Sequence, residues 1–198
     1  MTRAPDSPPS LADAVANADV VHDRAALEQA IDRMAAGIAD DYAGSVPVYL
    51  TIMHGGMPFA AQLAFALGER ALDLEFDYLH ATRYRGETSG GELVWKHRPA
   101  TPLQGRRVLL VDDILDEGHT MAGIVAWCRE QGASDVRIAA LAVKTHGRCV
   151  PGVCADYAGV EVPAATCSGT AWISTNRVAT CRRSTRCADR SLQDRLQP

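Results

Sequence analysis

The chain has 198 residues, 47% of them hydrophobic and 22% charged, which is typical of one globular domain with a buried core. A formal net charge of −4 argues against a nucleic-acid partner held by bulk electrostatics. No apolar run reaches membrane-spanning length and the first residues lack the apolar centre of a signal peptide, so we expect a cytoplasmic protein without membrane contact.

The first predicted elements are a tail and a helix. Residues 1–10 contain three prolines and little that is apolar, which predicts a disordered tail. From Ala25, apolar residues recur at helical spacing with charges between them. This pattern indicates an amphipathic helix that ends near Gly44.

A strand and a glycine-containing loop come next. Val46 to Met53 is apolar and rich in β-formers, which predicts a buried strand. It leads into His54-Gly55-Gly56, and Pro58 suits the first turn of a following helix. Paired glycines between a strand and a helix can offer a backbone-lined pocket to an anion.

The third strand and its return flank a polar connection. Residues 72–85 alternate as a strand does, with Leu74, Phe76, Tyr78 and His80 on one face. Residues 83–91 are polar and glycine-rich, and residues 93–95 form a returning strand. The connection is longer than a tight hairpin needs, so it is either a mobile functional loop or a plain surface loop.

Residues 106–121 carry most of the information about function. Val108 to Val111 form an uninterrupted apolar run, which is typical of a strand buried on both faces of a parallel sheet. Asp112 and Asp113 follow directly, so we expect these acids at the carboxyl end of a central strand. Open α/β sheets bind their ligands at that edge.

A turn with Asp116 and Gly118 then opens a helix. Such a turn offers backbone N–H groups and a positive dipole end to a phosphate, Gly118 allows close approach, and Thr120 adds a hydroxyl donor. Three carboxylates beside a phosphate need other partners, and a phosphorylated sugar with Mg²⁺ and an abstractable proton supplies them. An acidic turn of the receiver-domain kind is the alternative for this segment alone.

The next predicted strand ends on a lysine. Residues 136–143 are apolar and deliver Lys144 at the carboxyl end, where a lysine is commonly only a surface charge. Cys149 and Cys154 with His146 have the composition of a metal site. Because paired Cys-x-x-Cys spacing is absent, free loop and core thiols are the simpler interpretation.

Residues 106–121 closely resemble the signature with which type I phosphoribosyltransferases bind phosphoribosyl pyrophosphate (PRPP). The run Ala-Leu-Ala-Val-Lys ending at Lys144 and residues 156–163 resemble the hypoxanthine-guanine branch. The resemblance runs from about residue 22 to Pro163. It implies an α/β fold, with a parallel sheet, helices on both faces and a small hood over the carboxyl edge. It also implies transfer of 5-phosphoribosyl from PRPP to hypoxanthine or guanine, with Mg²⁺ as the cofactor.

The resemblance implies roles for individual residues. Asp112 and Asp113 would hold the ribose hydroxyls and help to place Mg²⁺, and Asp116 would be the general base facing N7 of the purine. Lys144 would donate to the oxygen at position 6 of the purine. The residues implied to cradle the 5′-phosphate are Glu117, Gly118, His119 and Thr120.

Two loops complete the implied site. His54 and Gly55 stand where the family often has a Lys-Gly pair in its pyrophosphate loop, so a fixed positive charge is missing. The connection that begins with Arg83 and Tyr84 resembles the flexible lid that closes over the reacting sugar and excludes water.

After Pro163 the chain changes character. Residues 164–198 contain six arginines, no lysine and three of the six cysteines, without apolar periodicity. The family instead continues with an aromatic residue that stacks on the purine, a metal-binding aspartate and an arginine that contacts pyrophosphate. We therefore divide the chain into a tail (1–10), a phosphoribosyltransferase domain (11–163) and an aberrant segment (164–198) that replaces part of the hood.

A slipped reading frame explains the aberrant segment. When residues 164–173 are back-translated with free third bases and each codon is read from the preceding base, the string R-Y-V-F-G-Y-G-M-D emerges. Its D is forced because the single Trp codon precedes an Ile codon. Residues 174–187 can likewise give I-H-E-Q-G-R-N-L-P-A-I-Y-A-L, and both strings resemble the family. Loss of one base in the codon after Pro163 is sufficient.

Other classes remain open on the sequence. One is a regulator that uses the same fold to sense PRPP or a nucleotide without catalysis, and another is a receiver-like or redox α/β domain. A damaged, weakly active enzyme is a further alternative. Family members usually form dimers or tetramers, so the resemblance implies a homo-oligomer with small-molecule substrates.

Overall fold

The computed structural model describes residues 18–83 and 93–163, together with the backbone of four short strands between residues 167 and 187. The predictions made for the tail of residues 1–10 and for Tyr84 fall outside the described residues. Of Arg83 only the backbone is described, at the end of a strand.

The elements up to residue 163 are β1 (Ala18–His22), α1 (Arg24–Asp41), β2 (Val48–Ile52), α2 (Met57–Gly68), β3 (Glu75–Arg83), β4 (Leu93–His97), β5 (Arg107–Leu115), α3 (His119–Glu130), β6 (Asp135–Thr145) and β7 (Tyr157–Pro163). The main body is a six-stranded sheet in the order β4-β3-β2-β5-β6-β7. Neighbouring strands from β3 to β7 are parallel, and the edge strand β4 alone is antiparallel to its neighbour. The sheet and its helices confirm the predicted α/β fold.

Helices cover both faces of the sheet, and β5 divides its side chains between them. Leu109 and Val111 pack with the apolar stripes of α1 and α2. Val108 and Leu110 face the other way and pack with α3. All four residues are buried, which confirms the predicted central strand.

Strand β5 is longer than the sequence predicted. Its pairing with β6 continues from Asp112, opposite Ala140, to Leu115, opposite Val143. Asp112 and Asp113 lie near the carboxyl end of the strand, as predicted, but inside it rather than after it, because β6 also extends and keeps the two parallel strands paired beyond the acids. The turn begins only at Asp116.

Strand β3 shows the predicted alternation from Glu75 onward, but the prediction that the strand already includes residues 72–74, with Leu74, was wrong. The face that carries Phe76 and Tyr78 is exposed, whereas Leu79 and Ala81 on the opposite face are buried. The exposed rings contact neighbouring strands: the Phe76 ring lies edge-on to Tyr49 of β2, and the Tyr78 ring stacks on His97 of β4. Aromatic contacts between strands thus cover part of the face that helices leave open.

The two ends of the chain share a small second sheet. Strand β1 pairs antiparallel with β11 (Ser184–Cys187), which also pairs with β8 (Cys167–Ser168). Strands β9 (Trp172–Ser174) and β10 (Arg177–Ala179) pair with each other. The assignment of residues 164–198 to an aberrant segment stays a prediction.

A polar cluster ties α1 to the amino ends of β6 and β7. The Tyr157 hydroxyl donates to Asp41 Oδ2 at 2.8 Å and accepts from Arg137 Nη1 at 2.9 Å. The hydrogen bond from Tyr157 lowers the pKa of the Asp41 carboxyl, and nearby Arg137 adds to that shift. Burial raises the pKa of Tyr157 to about 12, so its hydroxyl stays a donor.

Replacing Tyr157 with Phe should destabilise the fold. The change removes two hydrogen bonds but leaves Arg137 and Asp41 paired at 2.5 Å. We expect the free energy of unfolding in urea to fall by about 1 kcal/mol. The matched control is Tyr78→Phe, since the Tyr78 hydroxyl makes no hydrogen bond to any other described residue. Equal unfolding free energies for the two variants would contradict a structural role for the cluster.

Candidate active site

The carboxyl edge of the sheet brings most predicted site residues together. Parallel strands β2, β5 and β6 end at this edge, so the segments that follow them meet there. The β2–α2 loop contributes His54 and Gly55, and β5 contributes Asp112 and Asp113. Lys144, near the end of β6, lies beside the turn after β5.

The glycines of the β2–α2 loop lie directly against β5. A methyl group on Gly55 would lie 2.8 Å from Asp113 Oδ1. One on Gly56 would lie 2.7 Å from the Ile52 carbonyl oxygen and 2.8 Å from that of Val111. The loop therefore approaches the acidic pair because both positions lack a side chain. The Met53–His54 peptide bond before these glycines is cis.

Replacing Gly56 with Ala should disrupt this approach. The added methyl group would meet two backbone oxygens that cannot rotate away, so the loop or the end of β5 must shift. We expect a loss of about 1–3 kcal/mol in the free energy of unfolding. Gly68→Ala is the control, because a methyl group there meets nothing within 4 Å. Similar stability of the two variants would mean that the loop does not depend on the close contact.

Asp112 and Asp113 form a crowded acidic pair. Both are partly buried, and the backbone N–H of Asp113 donates to Asp112 Oδ1 at 2.9 Å. Burial and the adjacent charge of Asp113 raise the pKa of Asp112 well above its usual range. Burial also raises the pKa of Asp113. The surroundings of both acids therefore disfavour their charged forms.

The pair fits Mg²⁺ better than a metal enclosed by protein. Among the side chains that the structure describes, in residues 21–82 and 93–163, no lysine, arginine or histidine forms an ion pair with either acid. The same residues contain no cluster of three or more metal-ligating side chains. Mg²⁺ commonly takes one or two carboxylates and fills its other positions with water and substrate phosphates. Two adjacent carboxyls at the sheet edge match that donor set.

Asp116 is held by two basic side chains. Its Oδ2 accepts from Lys144 Nζ at 2.6 Å, and its Oδ1 accepts from His146 Nε2 at 2.5 Å. The Asp116 side chain is 47% exposed, whereas those of Lys144 and His146 are 14% and 7% exposed. Burial favours the neutral acid, but the two hydrogen bonds outweigh it and hold the pKa of Asp116 below its usual range.

The turn between β5 and α3 has the form of an anion site. Gly118 precedes the helix with a φ of 82°, a conformation that favours glycine. The helix then begins at His119, leaving its first backbone N–H groups without helical partners near Thr120. The Glu117 carboxylate is already occupied by other side chains, since it lies 3.7 Å from His119 Nε2 and 3.4 Å from Arg148 Nε. The backbone of the turn, rather than this carboxylate, suits a phosphate.

Comparisons with known proteins agree with this geometry. Residues 17–156 match the family described as the phosphoribosyl transferase domain. The chain is 33% identical over 145 residues to a hypoxanthine-guanine phosphoribosyltransferase of Streptococcus pneumoniae, covering 73% of this chain and 77% of that protein. The chain belongs to the phosphoribosyltransferase family. Within the family it is of the hypoxanthine-guanine type, and a Bacillus subtilis relative with that name is 28% identical over 138 residues, covering 69% of this chain and 74% of that protein.

Solved phosphoribosyltransferase structures share the fold. A hypoxanthine phosphoribosyltransferase of Trypanosoma cruzi superposes with a TM-score of 0.80 at 20% identity, covering 89% of this chain and 94% of that one. A hypoxanthine-guanine-xanthine phosphoribosyltransferase gives 0.73 at 22% identity, covering 87% and 95%. No described helix of this phosphoribosyltransferase is long and apolar enough to cross a membrane.

Sequence reasoning missed two contacts of the phosphoribosyltransferase site. His146 was considered only with Cys149 and Cys154 as a metal cluster, yet its ring contacts Asp116. No local pattern indicated this contact, because β6 ends at Thr145 and the alternation of a strand does not continue into the loop that carries His146. The second missed contact joins the rings of His54 and His80, whose centroids lie 4.5 Å apart.

Proposed function

We propose that this enzyme transfers 5-phosphoribosyl from PRPP to N9 of hypoxanthine or guanine, releasing pyrophosphate and forming IMP or GMP. The observation that carries the proposal is the pairing of Asp116 with Lys144 at 2.6 Å, beside the phosphate-type turn and the acidic pair. A base and a cation held together on adjoining segments suit a purine, which must lose a proton and carries an oxygen that accepts one hydrogen bond.

We assign the phosphate and sugar of PRPP to the turn before α3 and to the acidic pair on β5. The backbone of Glu117, Gly118 and His119, with the Thr120 hydroxyl, would receive the 5′-phosphate at the start of α3. Asp112 and Asp113 would hold the ribose hydroxyls and Mg²⁺. When bound, Mg²⁺ supplies positive charge that neutralises the pyrophosphate leaving group.

The loop between β2 and α2 would hold the pyrophosphate. Its backbone at Gly55 lies against Asp113, which puts it next to the proposed metal position. His54 adds an exposed imidazole instead of a fixed charge. Arg83 and Tyr84 would begin the lid that closes over the sugar, in the segment that joins β3 to β4.

The purine half of the site rests on Asp116 and Lys144. Lys144 would leave Asp116 Oδ2 to donate to the purine oxygen at position 6, and the vacated Oδ2 would take the proton from N7. Loss of the lysine contact removes an interaction that keeps the pKa of Asp116 low, so Asp116 becomes a stronger base once the purine is bound. Negative charge of the acids near the sugar favours the developing oxocarbenium ion.

We also propose that the enzyme works as a cytoplasmic homo-oligomer, a dimer or a tetramer.

We further propose that the residues after Pro163 result from a reading-frame slip. In support of the slip, the family match ends at residue 156 and the S. pneumoniae relative aligns over 145 residues. Sequencing the gene around the codon after Pro163 tests the slip. An intact frame there, with codons that cannot give the alternative strings, would overturn it.

A substrate panel tests the proposed reaction. The purified chain is incubated with PRPP, Mg²⁺ and either hypoxanthine, guanine or adenine, and nucleotide formation is measured. We expect IMP and GMP to form and adenine to react at least about 100-fold more slowly, because Lys144 finds no acceptor oxygen on adenine. A chelator should stop the reaction. Equal use of adenine would contradict the role of Lys144, and activity in chelator would contradict that of Mg²⁺.

A further inference from the structure

A buried histidine holds the Asp116 oxygen that faces away from Lys144. The His146 ring is 7% exposed, and its Nε2 lies 2.5 Å from Asp116 Oδ1. Lys144 occupies the other oxygen, Oδ2, at 2.6 Å. Each oxygen of this carboxylate thus has its own partner, so the two contacts can be made and broken independently.

The second nitrogen of the ring fixes the position of the proton. The backbone N–H of Arg148 donates to His146 Nδ1 at 3.3 Å, so Nδ1 is an acceptor and carries no hydrogen. In the neutral ring the proton therefore lies on Nε2, from which it is donated to Asp116. The ring acts as an oriented donor to the carboxylate without needing a positive charge.

The loop that carries His146 is tied to the turn that carries Asp116. The backbone N–H of Val150 donates to the Glu117 carbonyl oxygen at 2.9 Å, and Arg148 Nε lies 3.4 Å from Glu117 Oε1. Cys149 Sγ lies 3.9 Å from the Asp116 carbonyl oxygen. These contacts fix the imidazole relative to Asp116. The titratable groups around the pair are Lys144 on β6, Glu117 in the turn before α3, His119 at the start of α3, and Arg148 and Cys149 on the loop.

We propose that His146 is a positioning residue for the transfer reaction, which holds the Asp116 carboxylate in place while Lys144 turns to the purine. This inference rests on the proposed function. Once Lys144 leaves Oδ2, His146 is the only side chain among the described residues that still binds the Asp116 carboxylate. The proton then moves in one step: the purine N7–H bond breaks, its electron pair stays on the purine, and an Oδ2–H bond forms on Asp116. Throughout this step the Nε2–H group of His146 keeps its hydrogen bond to Asp116 Oδ1.

The first test compares two variants of the full chain by steady-state kinetics. His146→Leu removes the donor at similar size, and His146→Gln keeps an N–H donor. We expect kcat to fall about 10-fold in His146→Leu, because a hydrogen bond to a charged group is lost. The KM for PRPP should change less than about twofold, since the PRPP groups are untouched. The acid limb of the kcat profile should move to higher pH, because the carboxylate loses a donor that favours its charged form.

Rescue separates positioning from mere folding. His146→Gln should recover most of the kcat and return the acid limb toward that of the parent. Equal losses in both variants with an unmoved acid limb would overturn the proposal.

The second test reads the histidine itself and needs no substrate. In protein labelled with nitrogen-15 in histidine, the ring signals lost in His146→Gln identify His146. We expect the Nε2–H tautomer, with a shift of these signals in Asp116→Asn. A proton on Nδ1, or no response to Asp116→Asn, would overturn the inference.

The two tests distinguish this inference from the proposed function. If neither the parent nor a variant with the reading frame restored after Pro163 forms nucleotide, and the tautomer and response are as expected, the proposed reaction is overturned and the His146–Asp116 contact is supported. An active parent with the wrong tautomer would overturn the role of His146 alone.

Discussion

Asp116→Asn should lower kcat by about 100-fold or more, because the change removes the only proposed acceptor for the purine proton. Asn keeps the size of the side chain and one carbonyl oxygen, so the turn that leads to Gly118 can persist. The KM for PRPP should change little, since its proposed contacts are backbone groups and other acids. Steady-state kinetics with hypoxanthine and saturating PRPP measure the effect.

The matched control for this variant is Asp32→Asn. Asp32 Oδ1 pairs with Arg70 Nη2 at 2.6 Å, the same distance as the Asp116–Lys144 pair, but it lies on α1 away from the sheet edge. The control removes an ion pair of equal length without touching the site. Turnover that persists in Asp116→Asn would make Asp116 a turn former and contradict its role as a base.

The low pKa of Asp116 has a kinetic consequence. Although burial opposes ionisation, the hydrogen bonds from Lys144 and His146 hold the pKa of Asp116 below its usual range in the free enzyme, so the carboxyl stays charged at lower pH than an ordinary aspartate. The acid limb of the kcat/KM profile, which reports the free enzyme, should therefore lie below the ordinary carboxyl range. The limb of kcat should lie at higher pH, because Lys144 has then moved to the purine.

Asp112→Asn should slow the reaction strongly while stabilising the free protein. Two partly buried acids side by side repel each other, and the pKa of Asp112 is raised by burial and by Asp113. Removing one charge relieves the repulsion, and we expect about 1 kcal/mol of added stability near neutral pH, a rise in Tm of about 3 °C. Loss of a sugar- and metal-binding oxygen should reduce kcat/KM by about 100-fold.

The stability gained by Asp112→Asn should depend on pH in a defined direction. A carboxyl whose pKa is raised in the folded state contributes most to stability below its unfolded pKa, about 3.9, and that contribution is lost as pH rises through the folded pKa. The stability gained by Asp112→Asn should therefore be absent in acid and should grow toward neutral pH. Thermal unfolding at both conditions checks it, with Asp32→Asn as the control. A variant less stable than the parent at neutral pH would contradict the crowding of the acidic pair.

Local pattern predicted the parts of this fold that depend on short-range physics. The run Val108 to Val111 indicated a strand buried on both faces, and burial of the four residues confirms it. The end of that strand was not predictable, because it depends on β6, which continues to Thr145 and keeps Asp112 paired. Pairing with β6, which is distant in sequence, thus places the acids inside the strand rather than in the turn after it.

The site shows the same division. The family signature identified Asp116 and Lys144 separately, but their 2.6 Å contact follows from adjoining parallel strands. His146 carried no signal of its own in the sequence, since its role depends on a loop folding back over Glu117. Which of the exposed rings on β3 meet other strands also depended on register. These features arise from packing between distant segments, which periodicity does not encode.

The most direct test of the account is PRPP-dependent nucleotide formation with Mg²⁺, by the chain as written and by a variant in which the reading frame after Pro163 is restored. The substitution Asp116→Asn is also introduced into each protein, and its rate is measured in the same way. We expect the restored variant to form IMP and GMP at least about 10-fold faster than the chain as written, because it regains a stacking residue and an arginine. Asp116→Asn should reduce the rate about 100-fold. No nucleotide from either parent protein would contradict a transferase site built on residues 18–163 and favour a regulator that only binds PRPP.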